Sequence, residues 1–170
     1  NVFEPIGGEV STVKPPTFDG RTKEATVFTQ AYANENWTKP SVATILSGLY
    51  PTTHDTNGEE ETVPEAVEML AERLHDNGLG TGAFIANGYV SRDFGFNQGW
   101  DDYTNFIREK KNTTARGVYR EAIQWVERHH KEPFFLYVQT IDPHVPHRVD
   151  SKYTDLYYEG DYRGIVGRAM

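Results

Sequence analysis

The chain has 170 residues, of which 37% are hydrophobic and 13% aromatic, enough for one domain with a real core. Its 17 basic and 25 acidic side chains leave a net charge of −8, which argues against nucleic acid as a partner because such binders need a basic face. Cysteine is absent, so disulfides and thiolate metal sites are excluded, and no apolar run approaches the length of a membrane span.

Residues 1–22 are rich in Gly, Pro and Thr and read as an irregular surface segment. Ala25 to Ala33 is short and β-prone, which predicts a first strand. A helix is predicted next. Thr38 is expected as its N-cap, and Pro40 falls in the first turn, where a missing N–H costs nothing. Val42, Ile45, Leu46 and Leu49 give it an apolar stripe. Gly48 closes this helix, and Pro51 is expected to prevent a restart. Residues 51–62 read as a polar loop whose acidic run, Glu59-Glu60-Glu61, feeds the N-terminus of the following helix.

Val63, Val67, Leu70, Ala71 and Leu74 predict an amphipathic helix over about 63–76, ending near Asn77-Gly78. Thr81 to Ala86 is a short apolar strand. Residues 87–114 are a long Gly- and aromatic-rich connection, and loops of that length are usually functional or mobile. Val118, Ala122, Ile123 and Val126 mark a helix over about 115–130. Phe134 to Ile141 is a near-continuous apolar run suited to a strand buried on both faces. Residues 142–170 are again irregular, and no internal repeat is present. Strands alternating with helices predict an α/β sandwich around a largely parallel sheet. Ligands in such folds bind beyond the carboxyl ends of the strands. Thr38, Asn87 and the segment Asp142 to His147 each follow a predicted strand, so this topology brings them to one edge.

A hydroxyl at the mouth of a helix is well placed for attack on a tetrahedral oxyanion, because free N–H groups and positive potential can hold the anion there. The string Thr38-Lys39-Pro40-Ser41, leading to Ser47-Gly48-Leu49-Tyr50-Pro51 and His54, resembles the signature of the sulfatase family within the alkaline-phosphatase-like superfamily. Pro133 to Val138 followed by Asp142-Pro143-His144-Val145-Pro146-His147 looks like the family's buried strand and its His-bearing loop. A softer match is Gly78 to Asn87 with Phe94-Gly95-Phe96 and Gly99-Trp100-Asp101 beyond it. The three occur in the family's order and cover roughly residues 16 to 165.

The resemblance implies an alkaline-phosphatase-like sandwich, here lacking its first and last parts, formed by residues 1–170 as a single partial domain. It implies hydrolysis of a small-molecule or glycan sulfate ester through a covalent intermediate on Thr38. His144 would contact the anionic group or protonate the leaving oxygen. His147 and Asn87 are candidate substrate contacts, with a turn role beside Gly88 equally open for Asn87. Asp142 is expected to be structural. Sulfatases oxidise a Cys or Ser at the nucleophile position to formylglycine; Thr38 cannot follow that route, so no formylglycine is expected. The family's Arg four residues on is Val42 here. Both departures keep phosphomonoester and phosphodiester hydrolysis and phosphoalcohol transfer open as alternatives.

The cationic sulfate contact of the family has no counterpart near Asn87, and Arg92 is a candidate replacement. The resemblance also implies a divalent cation (Ca, Mg, Mn or Zn) held in part by Thr38. Carboxylates from an early strand and a late Asp would complete it. No Asp precedes Asp19, and the chain ends soon after Tyr162-Arg163-Gly164. The expectation is therefore an interior piece of a longer enzyme that binds metal poorly and turns over little or nothing by itself. A non-catalytic module binding anions or a partner chain is the competing class. His75, His129 and His130 lie near predicted helix ends, where cations favour the dipole, and are read as structural. Asp101 and Asp102 are likewise expected to pack as structural loop. Substrate identity, compartment and oligomeric state are not encoded legibly.

Overall fold

The computed structural model describes residues 24–26, 28, 30–142 and 144. Its centre is a three-stranded parallel sheet of β1 (Gly80–Ile85), β2 (Asp102–Asn105) and β3 (Phe134–Gln139), in the order β2-β1-β3. Gly82 faces Asp102 on one side of β1 and Leu136 on the other. Around the sheet lie α1 (Thr38–Ser47), α2 (Pro51–His54), α3 (Leu70–Asp76) and α4 (Ala115–His129), with a 3-10 turn at Arg92–Phe94. No helix among the described residues is long and apolar enough to cross a membrane.

The central strand carries apolar or small side chains on both faces because helices cover both. Ala83 and Ile85 pack with Val42, Ala43 and Leu46 of α1 and with Val63, Val67 and Met69 before α3. Phe84 and Ala86 meet Val118, Ala122 and Trp125 of α4 on the opposite face. Gly82 is required there, since a Cβ would stand 2.8 Å from the Trp125 indole. The same indole donates to Asp102 Oδ2 at 2.7 Å, locking α4 to the start of β2. Asp101 accepts from the Thr81 amide at 2.8 Å and the Thr81 hydroxyl at 3.1 Å. Both aspartates are thus engaged in joining β1, β2 and α4.

Strands β1 and β3 and helices α1 and α4 follow the sequence pattern, and the departures have physical causes. Ala25 to Ala33 forms no strand among its described residues, and Phe28 and Tyr32 are exposed. A β-prone segment becomes a strand only by pairing, and none of the described strands pairs with it. Trp37, not Thr38, is the N-cap of α1, with φ −140° and ψ 167°. Gly48 closes α1 at φ 70°, but Pro51 then opens α2, because a fixed φ at the first helical position is already compatible with a helix. Ile45 is 64% exposed, so the buried stripe of α1 narrows to Val42, Ala43 and Leu46. Ile123 is also exposed, and Trp125 fills the face of α4 instead.

The helix expected over 63–76 covers only Leu70–Asp76. Val63 is drawn away by tertiary bonds: its amide donates to the Phe94 carbonyl at 3.0 Å, and its carbonyl accepts from Gln98 at 3.3 Å. The acidic run therefore precedes an irregular segment rather than a helix. The connection 87–114 contains the 3-10 turn and β2, whose polar sequence DYTN hides a strand from an apolar pattern. β3 is half-buried along its length, not covered on both faces by the described residues. The readings for residues 1–22 and His147 lie outside the described residues.

Two polar side chains fasten this frame. Asn105, at the end of β2, is buried and donates from Nδ2 to the carbonyls of Asn87 at 2.9 Å and Val90 at 2.6 Å. Its Oδ1 accepts from the Arg108 amide at 3.0 Å. His54 is fully buried at the end of α2. Its Nδ1 accepts from the Thr56 amide at 3.2 Å, so the ring is neutral with its proton on Nε2, 3.1 Å from the Thr44 hydroxyl of α1. Burial pushes its pKa below 6.5, against weaker upward pulls from backbone contacts, Asp55 and Glu35.

Asn105→Ala is expected to cost roughly 1–3 kcal/mol, the penalty of leaving buried backbone groups unpaired, in urea unfolding. A loss no larger than that of an exposed Asn→Ala control such as Asn57→Ala would show the bridge to be dispensable. For His54 the folded state favours the neutral ring. Its contribution is therefore present above pH 6.5 and is lost as pH falls toward the depressed folded-state value. Urea unfolding of wild type and His54→Gln should show a stability gap that narrows below pH 6.5; a gap constant down to pH about 5 would contradict this.

Candidate active site

Beyond the carboxyl ends of all three strands lies an open cleft of about 920 Å³. Asn87, Gly88 and Tyr89 reach it from the end of β1, Ile107 and Arg108 from β2, and Ile141 and His144 from β3. The N-terminal end of α1 supplies Glu35, Asn36, Trp37, Thr38 and Ser41. This is the edge at which open parallel sheets bind ligands. Three of the residues singled out from the sequence (Thr38, Asn87 and His144) line one cleft. The fourth, His147, lies outside the described residues.

Thr38 is the first helical residue of α1 and is half-buried. Because Trp37 is the N-cap, the Thr38 hydroxyl lies one position past the capping position. No acidic residue sits in the first turn, so the positive end of the helix dipole is not neutralised there. The approach to Thr38 is pinned by Ser41, whose hydroxyl donates to the Glu35 carbonyl at 3.1 Å. Trp37 meets Tyr89 edge-on with centroids 5.5 Å apart, and Tyr89 lies 5.9 Å from Phe94, making an aromatic wall along the cleft.

Lys39, next in sequence, does not line the cleft. It is fully buried, and its ammonium donates to the carbonyls of Glu59 at 2.8 Å and Glu61 at 2.6 Å, 4.2 Å from the Phe94 ring centre. Burial lowers its pKa, and the charges of Glu61, Glu60 and Glu59 partly restore it. The acidic run that looked like a helix lead-in is thus a main-chain socket for this lysine.

Asn87 is buried, and its Oδ1 accepts from the amides of Tyr89 at 2.9 Å and Val90 at 3.4 Å, which folds the turn after β1. His144 is exposed at the cleft, and its amide donates to Ile141 at 2.8 Å, a tight turn after β3. Arg92 does not line the cleft; its guanidinium lies over the Tyr103 ring at 5.3 Å. The cation that does is Arg108, which the sequence reading passed over. It sits in an ordinary charged run, Arg108-Glu109-Lys110-Lys111, and nothing in its spacing distinguishes it from solvated neighbours.

The histidines near helix ends have structural partners. His129 stacks on Trp125 at 4.2 Å and meets the Trp125 carbonyl at 2.8 Å, and His75 lies 3.2 Å from Asp101. No three His, Asp or Glu side chains cluster as metal ligands among the described residues. Among the described residues the cleft presents one carboxylate, Glu35, with the Thr38 hydroxyl and His144. This donor set does not by itself make a divalent-metal centre, which needs several converging oxygen or imidazole ligands.

The fold is shared with solved structures at low identity. A phosphonate monoester hydrolase of Agrobacterium radiobacter matches with TM-score 0.69 and 16% identity, over 89% of this chain and 41% of that one. Ps i-CgsB matches with TM-score 0.62 and 20% identity, over 84% and 42%. The same protein in complex with k-i-k-neocarrahexaose matches with TM-score 0.54 and 17% identity, over 78% and 40%. A curated relative from Formosa agariphila, described as a sulfatase, is 25% identical across 92% of this chain and 39% of its own length. The chain thus spans about two fifths of the length of these relatives. The Sulfatase family profile matches residues 6–165, nearly the whole chain, and the chain accordingly belongs to the sulfatase family.

Proposed function

We propose that the cleft hydrolyses a sulfate ester through a covalent intermediate on Thr38. The observation that carries this reading is the convergence of Thr38, at the first position of α1, and His144 on one cleft at the carboxyl edge of a parallel sheet. In the proposed reaction the Thr38 oxygen attacks sulfur in line and the bond from sulfur to the ester oxygen breaks. The leaving oxygen takes a proton from protonated His144, and the Thr38 proton passes to a base on the cleft, for which Glu35 is the available carboxylate. Water then hydrolyses the threonyl ester. Amide donors at the start of α1 favour the charge developing on the transferring group. A divalent cation, as the family resemblance implies, would take most of its donors from beyond the described residues, and the residues named here act without reference to it.

A phosphate or phosphonate ester is the second reading. Thr38 replaces the residue type that formylglycine formation needs, and the phosphonate monoester hydrolase shares the fold. Both readings place the same hydroxyl at the reacting atom.

In the full-length enzyme, Thr38→Ala is expected to lower turnover of an aryl sulfate or aryl phosphate by roughly 10³-fold or more. Stability should stay within about 0.5 kcal/mol, because the N-cap position is held by Trp37 rather than Thr38. Mass spectrometry of acid-quenched wild type should find a sulfuryl or phosphoryl group on Thr38; retained turnover in the alanine variant would remove it from the mechanism. Calorimetric titration of this chain with Ca²⁺, Mg²⁺, Mn²⁺ and Zn²⁺ should find no tight stoichiometric site. Such a site would mean that residues outside the cleft described here complete a metal centre.

A further inference from the structure

We infer that Arg108 is the cation that binds the anionic group of the substrate, a cationic contact for which the sequence offered only Arg92; this rests on the cleft being the ester-binding site. Arg108 is the only Lys or Arg among the described residues lining the cleft. The two rival cations are committed elsewhere, Lys39 to buried carbonyls and Arg92 to the Tyr103 ring.

The Arg108 side chain is aimed rather than adrift. Its amide is fixed by Asn105 at 3.0 Å, and Nη2 donates to the Gly88 carbonyl at 3.0 Å, so it crosses from the end of β2 to the end of β1. Nε lies 3.4 Å from Asp93 Oδ2. A guanidinium has more N–H donors than these two contacts engage, and its planar fork matches two oxygens of a sulfate or phosphate. The side chain is 48% exposed, so an anion in the cleft can reach it without rearrangement. The need for a local cation is real. The chain carries a net charge of −8, and Glu35 lines the same cleft, so the wider field repels the substrate class proposed. Asp93 then acts as a positioning residue that holds the guanidinium through Nε.

Inorganic sulfate and inorganic phosphate serve as probes, titrated calorimetrically at low ionic strength so that turnover is not needed. Arg108→Gln is expected to weaken anion binding by about tenfold or more, as loss of a charge-assisted pair predicts. Arg92→Gln removes the same formal charge and should weaken it less than about twofold, since an exposed charge outside the cleft is screened. Arg108→Lys keeps the charge, loses the fork and should fall between the two; it also serves if the glutamine variant fails to fold.

Unchanged binding in Arg108→Gln, equal losses in the Arg92 and Arg108 variants, or no binding to wild type would each overturn the assignment. The two readings fail separately. If Thr38 is not the nucleophile, Thr38→Ala keeps turnover while Arg108→Gln still loses the anion. If Arg108 is not the binder, Thr38→Ala is inactive while Arg108→Gln binds as wild type does.

Discussion

The carboxamide of Asn105 is the constraint on which the cleft depends. One buried side chain holds the turn after β1 through two carbonyls and the turn after β2 through an amide. In water those backbone groups would be satisfied by solvent. In the packed edge of the sheet an unpaired amide or carbonyl is costly, so the three bonds select a single arrangement of both turns. Asn87, Gly88, Tyr89 and Arg108 owe their common location to that selection. The sheet supplies the direction, and Asn105 supplies the registration between neighbouring strand ends.

The remaining wall comes from the start of α1, and its placement is also polar in origin. Ser41 reaches back to the Glu35 carbonyl, and Lys39 reaches away from the cleft to a loop some twenty residues on. The apolar contacts of Val42, Ala43 and Leu46 with the sheet set where the helix lies. The polar contacts decide how its first turn is presented. Thr38 sits between two anchored neighbours, Trp37 against Tyr89 and Lys39 in its carbonyl socket.

Much of the fold was legible because its signals are local. The apolar runs at Thr81–Ala86 and Phe134–Ile141 and the 3.6-residue pattern of α4 belong to elements whose burial follows from their own residues. The parts that were not legible depend on partners distant in sequence. Val63 and Val67 have helical spacing and are buried, yet bonds from Val63 to Phe94 and Gln98 keep the segment irregular. β2 reads as polar because Asp102 and Asn105 spend their side chains on the Trp125 indole and on neighbouring turns. At the cleft, Thr38 and His144 were marked by motif. Arg108 was invisible because its role arises from a carbonyl twenty positions earlier.

The lysine behind the first turn of α1 has an implication for how this surface tolerates change. It grips residues 59 and 61 by main-chain oxygen alone, so the geometry of that grip is indifferent to which side chains the loop displays. Loop sequences that diverge while keeping the acidic charge that offsets the lysine's burial are therefore compatible with an unaltered cleft rim. Exchange of the lysine itself would strand two inward-facing carbonyls and displace the rim from its rear, without touching a single atom that meets the ligand.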